Sequence, residues 1–206
     1  MKFESESLPA AIARASPGIY MGVGIVYITL TPDVRSIYLF LALVSVFITN
    51  WIFKNIIFQV LYHFVNITTG QNSLPILGIG MRPPGATSCG LFLDGRPGNT
   101  TFGMPSGHSQ ITWAIGTYLI LRIIEHQTNT IKKWIIILLI GTWMVYVAYS
   151  RVYIANCHTI QQVIIGGLIG VGCGYFIWKM ESTFIQWIRS IKSIKDIPNR
   201  VIALKN

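Results

Sequence analysis

Long apolar segments with very few charges are the feature that most constrains the fold of this chain. Of its 206 residues, 52% are hydrophobic and only 11% are charged, whereas soluble domains carry about 25% charged residues. So few charges cannot cover a water-facing surface, which predicts an integral membrane protein. A helix needs about 20 residues to cross the hydrocarbon core. We therefore expect six spans, at roughly 17–32, 36–53, 54–69, 108–124, 133–150 and 160–179.

The polar stretches between these segments define the expected architecture. Thr31-Pro32-Asp33 is a turn signal that also favours a new helix, and the second and third spans are expected to meet between Asn50 and Lys54. Residues 70–105 form one long loop rich in Gly, Pro, Asn and Thr, and such loops are often functional. The prediction is a single domain over 1–206: an all-α, six-helix membrane bundle whose long extracytoplasmic loop carries part of the active site.

The distribution of basic residues predicts an orientation. With six spans, the N-terminus, the Lys54 turn, the 124–132 turn and the C-terminus share a side that holds twelve Lys and Arg residues. The other side holds four, namely Arg35, Arg82, Arg96 and Arg151. The positive-inside rule places the richer side in the cytoplasm. The net charge of +9 then reflects topology and anionic lipid headgroups, and we expect no nucleic-acid partner.

Two features of the last third of the chain concern packing. Gly166, Gly170 and Gly174 recur at four-residue spacing, which is typical of close helix packing in membranes; no strand precedes them to support dinucleotide binding. Residues 182–197 carry an apolar stripe beside basic residues, which suggests an interfacial helix on the cytoplasmic leaflet. A frayed tail is the alternative.

The three cysteines form no CxxC pair, so a zinc site or disulfide scaffold is not expected. Cys89 and Cys157 both fall on the predicted non-cytoplasmic side, and the sequence leaves open whether they pair. Asn99-Thr100-Thr101 is a glycosylation sequon on the same side.

The run Pro105-Ser106-Gly107-His108 is the first of two that carry chemistry. Ser106 is a good helix N-cap, so a helix should begin near His108. The N-terminus of a helix presents free N–H groups and a partial positive charge that bind phosphate well. His108 in that first turn is suited to give a proton to a leaving oxygen.

The second run begins at Ser150-Arg151 and continues to His158 and Gln162. Arg151 can hold phosphate oxygens bidentately, or it can reach from the span's end to lipid headgroups; the nearby histidine favours the first reading. Gln162 lies one helical turn after His158. Its side-chain oxygen could accept the Nδ1–H and leave Nε2 free to attack phosphorus. Arg82 is a third candidate phosphate ligand, with Arg96 a rival.

These residues resemble the type 2 phosphatidic acid phosphatase superfamily, whose motifs read K-x6-RP, PSGH and SR-x5-H-x3-D. The dolichyl diphosphatase group within it shows GMPS-x-HSQ and SRVY…HT-x-x-QV. This chain matches the two runs through Gly103-Met104-Pro105-Ser106, His108-Ser109-Gln110, Ser150-Arg151-Val152-Tyr153, His158-Thr159 and Gln162-Val163. The resemblance covers roughly residues 78–175.

The resemblance implies a role for each residue. His158 would be the nucleophile that forms a phosphohistidine, and His108 would be the general acid. The phosphoryl oxygens would be held by Arg82, Ser106, Gly107 and Arg151. No metal or cofactor would be needed. The substrate would be a polyprenyl diphosphate in the membrane, presented to the endoplasmic reticulum lumen in a eukaryote or the periplasmic face in a bacterium.

Three departures from the family pattern stand out. Pro75 occupies the position of the motif lysine seven residues before Arg82, and Lys54 is too distant in sequence to be its direct equivalent. Six residues rather than five separate Arg151 from His158, as though Asn156 or Cys157 were inserted. Gln162 stands where the superfamily has Asp, and the dolichyl group shares that glutamine.

Three other functions compete with a lipid diphosphatase. A phosphatase for phosphatidate or another lipid monophosphate would use the same motifs. A non-catalytic protein that binds lipid phosphate would keep the basic residues without turnover. A small anion transporter would need charges deep within its spans, whereas Arg82, Arg96 and Arg151 are all predicted at one surface.

Overall fold

The computed structural model describes residues 7–86, 89 and 101–191. Within them the chain forms helices almost throughout, with one small antiparallel hairpin that pairs Ser73 with Ile79. The elements are α1 Leu8–Leu30, α2 Val34–Ile52, α3 Gln59–Thr69, β1 Ser73–Leu74, β2 Gly78–Ile79, α4 Gly107–His126, α5 Thr130–Tyr149 and α6 Ile160–Ser190, with π-helical segments at Phe53–Phe58 and Ser150–Ile154. Four helices of the described part are long and apolar enough to cross a membrane, namely Leu8–Leu30, Val34–Thr69, Thr130–Ile154 and Ile160–Ser190.

The predicted turn between the second and third spans is wrong. Residues Val34–Thr69 form one continuous helix of 36 residues, called here the long helix, with the π-helical segment in its middle. No Gly or Pro lies within this range to break it. Asn50 and Lys54 are not turn residues: Asn50 donates from its side-chain amide to Gln110 Oε1 in α4, at 2.8 Å. At a rise of about 1.5 Å per residue the long helix measures ~54 Å, well beyond the ~30 Å of hydrocarbon.

Helix α4 lies at the centre of the bundle and packs most closely against α6. It is more polar than the four candidate spans, and it buries Ser109, Gln110 and Thr112 against its neighbours. The glycine stripe of α6 makes this approach possible. A Cβ at Gly166 would come within 2.5 Å of the Ser106 carbonyl oxygen, and the next two glycines face the α4 backbone in the same way. The predicted packing role of the stripe is confirmed.

Polar side chains cap the starts of three helices. Asp33 accepts from the Ser36 amide at 2.7 Å while Ser36 Oγ accepts from the Asp33 amide at 3.1 Å, which confirms the predicted helix start after the first turn. Asn129 accepts from the amide of Lys132 at the start of α5. Thr159 begins α6 with a similar reciprocal pair.

The buried carboxylate of Glu181 pairs with basic side chains at one end of the bundle. Glu181 of α6 accepts from Arg35 Nε at 2.7 Å and from the Tyr118 hydroxyl at 3.1 Å, and Arg122 Nε lies 3.6 Å away. The 31–33 turn therefore shares an end with the α4–α5 turn and the end of α6. The start of α1 lies at the opposite end, where the Arg14 carbonyl contacts His108.

This arrangement corrects the predicted sides. Since the long helix replaces two spans, Arg35 moves to the end that holds the α4–α5 turn, while Arg14 and Lys54 move to the end that holds both histidine runs. Among the described residues the former end holds six Lys and Arg and the latter holds four. The six are Arg35, Arg122, Lys132, Lys133, Lys179 and Arg189; the four are Arg14, Lys54, Arg82 and Arg151.

Some predicted features lie partly or wholly outside the described residues. The proposed interfacial helix at 182–197 does not begin separately, because α6 runs without a break through Ser190; residues 192–197 lie outside the described part. Arg96 and Asn99 also lie outside it.

Candidate active site

The side chain of Gln162 fixes the chemical state of His158. Its amide nitrogen lies 3.0 Å from the Ile79 carbonyl oxygen and 2.8 Å from that of Met81. Both partners can only accept, so this end of the amide must be the NH₂ donor. The amide oxygen therefore faces His158 Nδ1, at 2.9 Å. Nδ1 must carry the hydrogen, and in the neutral ring Nε2 keeps its lone pair.

The surroundings of His158 favour that neutral ring. His158 is 3% exposed. Burial, followed by the positive charges of Arg82, Arg151 and Lys54, lowers the pKa of His158 well below its usual value, and the hydrogen bond to Gln162 opposes this only in part. A neutral imidazole with a free Nε2 is the form required of a nucleophile.

Arg151 lies next to His158 through the backbone of one tight turn. The Arg151 carbonyl accepts from the amides of Cys157, at 2.9 Å, and His158, at 3.2 Å. This turn also accommodates the one-residue excess over the family spacing. The π-helical segment Ser150–Ile154 closes with a wide bond from the Ala155 amide to the Ser150 carbonyl, and Asn156 adopts a left-handed conformation with φ of 46°. The turn thus brings His158 back beside Arg151 despite the longer spacing.

Arg151 and Arg82 approach the same turn from different parts of the chain. Arg151 is 1% exposed, and its guanidinium donates to the Cys89 carbonyl at 3.0 Å. Arg82 donates through Nε to Thr101 Oγ1 at 2.8 Å and through its terminal nitrogen to the Cys157 carbonyl at 3.4 Å. The structure therefore brings both predicted phosphate ligands to the loop before His158.

Ser106 and Gly107 begin α4 beside the same group. Ser106 is fully buried, and its amide donates to the Gln162 backbone carbonyl at 3.0 Å. As predicted, it occupies the N-cap position, although its side chain makes no capping bond. Gly107 faces Asn50, whose Oδ1 would lie 2.9 Å from an added Cβ. The first amides of α4 have no intrahelical carbonyl and are suited to an anion.

His108 occupies the first turn of α4, as predicted, but one of its ring nitrogens is already engaged. His108 Nε2 lies 2.9 Å from the backbone carbonyl oxygen of Arg14 in α1. Since a carbonyl only accepts, Nε2 carries a hydrogen. A proton given to a leaving group would therefore come from Nδ1 of the doubly protonated ring.

Lys54 belongs to this group, although its distance along the chain from Arg82 does not match the family motif. The charges of Lys54 and of the two arginines act on both histidines, and the charge of Arg82 acts on Lys54. The 27 residues between Lys54 and Arg82 run out along α3 and return through the hairpin, where Tyr62 donates to the Gly78 carbonyl. The excursion leaves and re-enters at the same end of the bundle, so distance along the chain misrepresents distance in space.

Cys89 and Cys157 form a disulfide, with their Cα atoms 5.6 Å apart. Both are buried, and Ala86 and Ala155 pack against them. The pairing that the sequence left open is therefore present in the structure. The third cysteine, Cys173 in α6, is free.

Sequence reasoning missed the backbone contributions to the site. The carbonyls of Ile79 and Met81 orient Gln162, that of Arg14 engages His108, and those of Cys89 and Cys157 engage the arginines. Backbone groups have no residue signature. The sequence signal for Lys54 is the absence of Gly and Pro from residues 34–69, and it competes with the turn-like composition of Asn50 and Lys54.

Comparisons with known proteins agree with the geometry. The PAP2 superfamily model matches residues 35–186. Dolichyldiphosphatase 1 of Homo sapiens is 39% identical over 92 residues, which cover 40% of this chain and 38% of the relative; that of Mus musculus is 42% identical over 92 residues, with the same coverage. The match thus spans less than two fifths of these curated relatives. No solved structure matches the chain at a significant level. The superfamily model covers well over half of this chain's residues, and the chain therefore belongs to the PAP2 superfamily.

Proposed function

We propose that this chain is a membrane phosphatase that hydrolyses a lipid diphosphate, namely dolichyl or another polyprenyl diphosphate, to the monophosphate and phosphate. The single observation that carries the proposal is the state of His158: Gln162 holds Nδ1–H, so Nε2 is available within a group of three cations. Membership of the superfamily and the named relatives support the same reaction class.

The reaction would proceed in two displacements. His158 Nε2 attacks the terminal phosphorus, a bond forms from nitrogen to phosphorus, and the bond to the bridging oxygen breaks. The leaving polyprenyl phosphate receives a proton from His108. Water then attacks the phosphohistidine, gives a proton to His108 and releases phosphate with free His158, so that each group returns to its starting state.

The cations and the α4 terminus would stabilise the charge on the transferred phosphoryl group. Arg82, Arg151 and Lys54 supply positive charge, and the Gly107 amide lies at the start of α4. The Ser106 amide is engaged by the Gln162 carbonyl, so Ser106 would contribute through its hydroxyl. Such prearranged donors are a large part of catalysis in phosphoryl transfer. We propose that these groups suffice without a metal ion. Within the described residues no group of three or more His, Cys, Asp or Glu side chains could hold one.

We also propose that the site faces the non-cytoplasmic side. The end opposite the site is richer in Lys and Arg among the described residues, which favours a cytoplasmic location for that end. The disulfide lies at the site's own end, and disulfides persist in oxidising compartments such as the endoplasmic reticulum lumen and the periplasm.

Phosphate release from the purified protein in detergent, with EDTA present, tests the proposal. The substrates are dolichyl diphosphate, dolichyl phosphate and phosphatidate, each assayed with wild type, His158→Ala and His108→Ala. We expect release from the diphosphate that is lost in His158→Ala and strongly reduced in His108→Ala. Preference for phosphatidate would replace the diphosphatase by a lipid monophosphatase. No release from any substrate would favour a lipid-phosphate-binding protein, and full activity in His158→Ala would exclude it as the nucleophile.

A further inference from the structure

The Cys89–Cys157 disulfide contacts both arginines through its backbone carbonyls, and Cys157 directly precedes His158 in the chain. We infer that it positions Arg82 and Arg151 for phosphate binding, so that the intact disulfide is part of the substrate-binding apparatus. The inference rests on the proposed function, because it assigns the phosphoryl group as the ligand of these arginines. Cys89 and Cys157 are positioning residues in this account, since they act through the two guanidinium groups.

Each half of the disulfide holds one arginine through its own backbone carbonyl. The Cys89 carbonyl accepts from the Arg151 guanidinium at 3.0 Å, and the Cys157 carbonyl accepts from that of Arg82 at 3.4 Å. The sulfur–sulfur bond therefore ties together the two carbonyls that orient the two cations.

Cys157 is also joined directly to the catalytic turn. Its amide donates to the Arg151 carbonyl at 2.9 Å, and the next amide, that of His158, donates to the same oxygen at 3.2 Å. A displacement of Cys157 would therefore move the backbone of both residues. Cys157 and Asn156 are also the two candidates for the residue by which this turn exceeds the family spacing.

A covalent link to the loop between α3 and α4 has a physical reason. Cys89 lies in the segment between α3 and α4, and 68 positions separate it from Cys157. Holding two such distant segments together without a covalent bond costs loop-closure entropy. Among the described residues, the side chains that pack against the disulfide are the small ones of Ala86 and Ala155. Without the bond, the Cys89 carbonyl would lose its fixed place beside Arg151.

Reduction of the folded protein tests the inference. Dithiothreitol transfers two electrons and two protons to the disulfide, which gives two thiols and cyclic oxidised dithiothreitol. We expect reduction to raise KM for the lipid diphosphate, and to weaken binding of inorganic phosphate, by about 10-fold to 100-fold, the scale that small misplacements of binding groups produce. Reoxidation should restore both. Phosphate binding is measured by equilibrium dialysis and KM by phosphate release.

Variants separate positioning from general destabilisation. Cys89→Ser/Cys157→Ser should show the same weak binding before reduction and no further change after it. Cys173→Ser is the matched control, because Cys173 is free and lies in α6; it should bind phosphate as wild type does and remain sensitive to reduction. Thermal unfolding and gel filtration at the assay temperature verify that each protein is folded.

The outcomes distinguish this inference from the proposed function. Turnover and phosphate binding that are unchanged on reduction, with both thiols found free by mass mapping, would overturn the positioning role and leave the phosphatase proposal intact. Reduction-sensitive phosphate binding without turnover of any lipid would support the positioning role while the proposed activity fails.

Discussion

At the scale of single residues, the contacts of Gln162 show how a glutamine can orient His158 where the superfamily pattern has an aspartate. Its oxygen holds His158 Nδ1, and its nitrogen holds the carbonyls of Ile79 and Met81. A carboxylate could accept from the histidine, but it would place negative charge against two carbonyl oxygens. Gly103 leaves room for this side chain, since a Cβ there would lie 2.5 Å from Gln162 Oε1. The glutamine therefore joins His158, the proposed nucleophile, to the strand that precedes Arg82.

Replacement of this glutamine should affect chemistry more than substrate binding. Gln162→Met keeps the length of the side chain and removes both hydrogen-bonding functions, so His158 loses its preferred tautomer. We expect kcat to fall by about 100-fold with a smaller change in KM. Gln161→Met, at an exposed neighbouring position, is the control and should retain kcat. Steady-state kinetics measure both, and a Gln162→Met protein with wild-type kcat would show that the tautomer is set by other means.

The pH dependence follows from the lowered pKa of His158. In the proposed mechanism the neutral ring is the nucleophile, so the contribution of His158 to activity is lost as the pH falls through that pKa. We expect the acid-side inflection of kcat/KM that belongs to His158 to lie below about pH 6.5, the ordinary histidine value. Lys54→Met removes one of the charges that disfavour protonation, so the inflection should move to higher pH.

The control for this shift is Lys132→Met, at an exposed position in the first turn of α5. Titration of the substrate itself is common to all three proteins and cancels in the comparison. An inflection that stays in place in Lys54→Met would mean that the lysine has no electrostatic influence on the nucleophile.

At the scale of helices and loops, the sequence predicts the helices better than their connections. The Asp33 cap and the glycine stripe of α6 follow from short local patterns. The long helix does not, because a polar Asn50 and a charged Lys54 between apolar runs have the composition of a turn. Only the contact with Gln110 in α4 shows that Asn50 faces a protein interior. The histidine motifs are local and were predictable, whereas their carbonyl partners come from distant segments.

The close approach of α4 and α6 makes a sharp test of packing. In Gly170→Ala the new Cβ would collide with the Gln110 carbonyl oxygen, and overpacking of this kind costs about 1–3 kcal/mol. Gly172→Ala lies two residues away, where nothing is within 4 Å of the added atom, and should change stability by less than about 0.5 kcal/mol. Thermal unfolding in detergent measures the pair. Equal melting temperatures would contradict the close packing.

At the scale of the whole molecule, the long helix changes the number of crossings. Two predicted spans become one helix, so the described chain passes through the bundle five times: by α1, the long helix, α4, α5 and α6. The start of α1 and the end of α6 consequently lie at opposite ends. The prediction that both histidine motifs share one end survives this change, because that end also holds the loop between α3 and α4.

Cysteine labelling of intact membranes distinguishes the two topologies. In a Cys173→Ser background, single cysteines at the exposed positions Gln71, Thr31 and Thr128 report the two ends. We expect Gln71→Cys to react with an impermeant maleimide only from the non-cytoplasmic side, and Thr31→Cys and Thr128→Cys only from the cytoplasm. Labelling of Thr31→Cys together with Gln71→Cys would restore the six-span arrangement, and reversal of all three would overturn the orientation.

The central claim is that Nε2 of His158 takes up the phosphoryl group, and trapping of the intermediate tests it most directly. The protein is mixed with lipid diphosphate labelled in its terminal phosphate, quenched in alkali within the first turnover, digested and mapped. We predict alkali-stable, acid-labile label on the peptide that contains His158, with phosphorus on Nε2 by NMR. Turnover without label at His158, or label on Nδ1 or on another residue, would contradict the account.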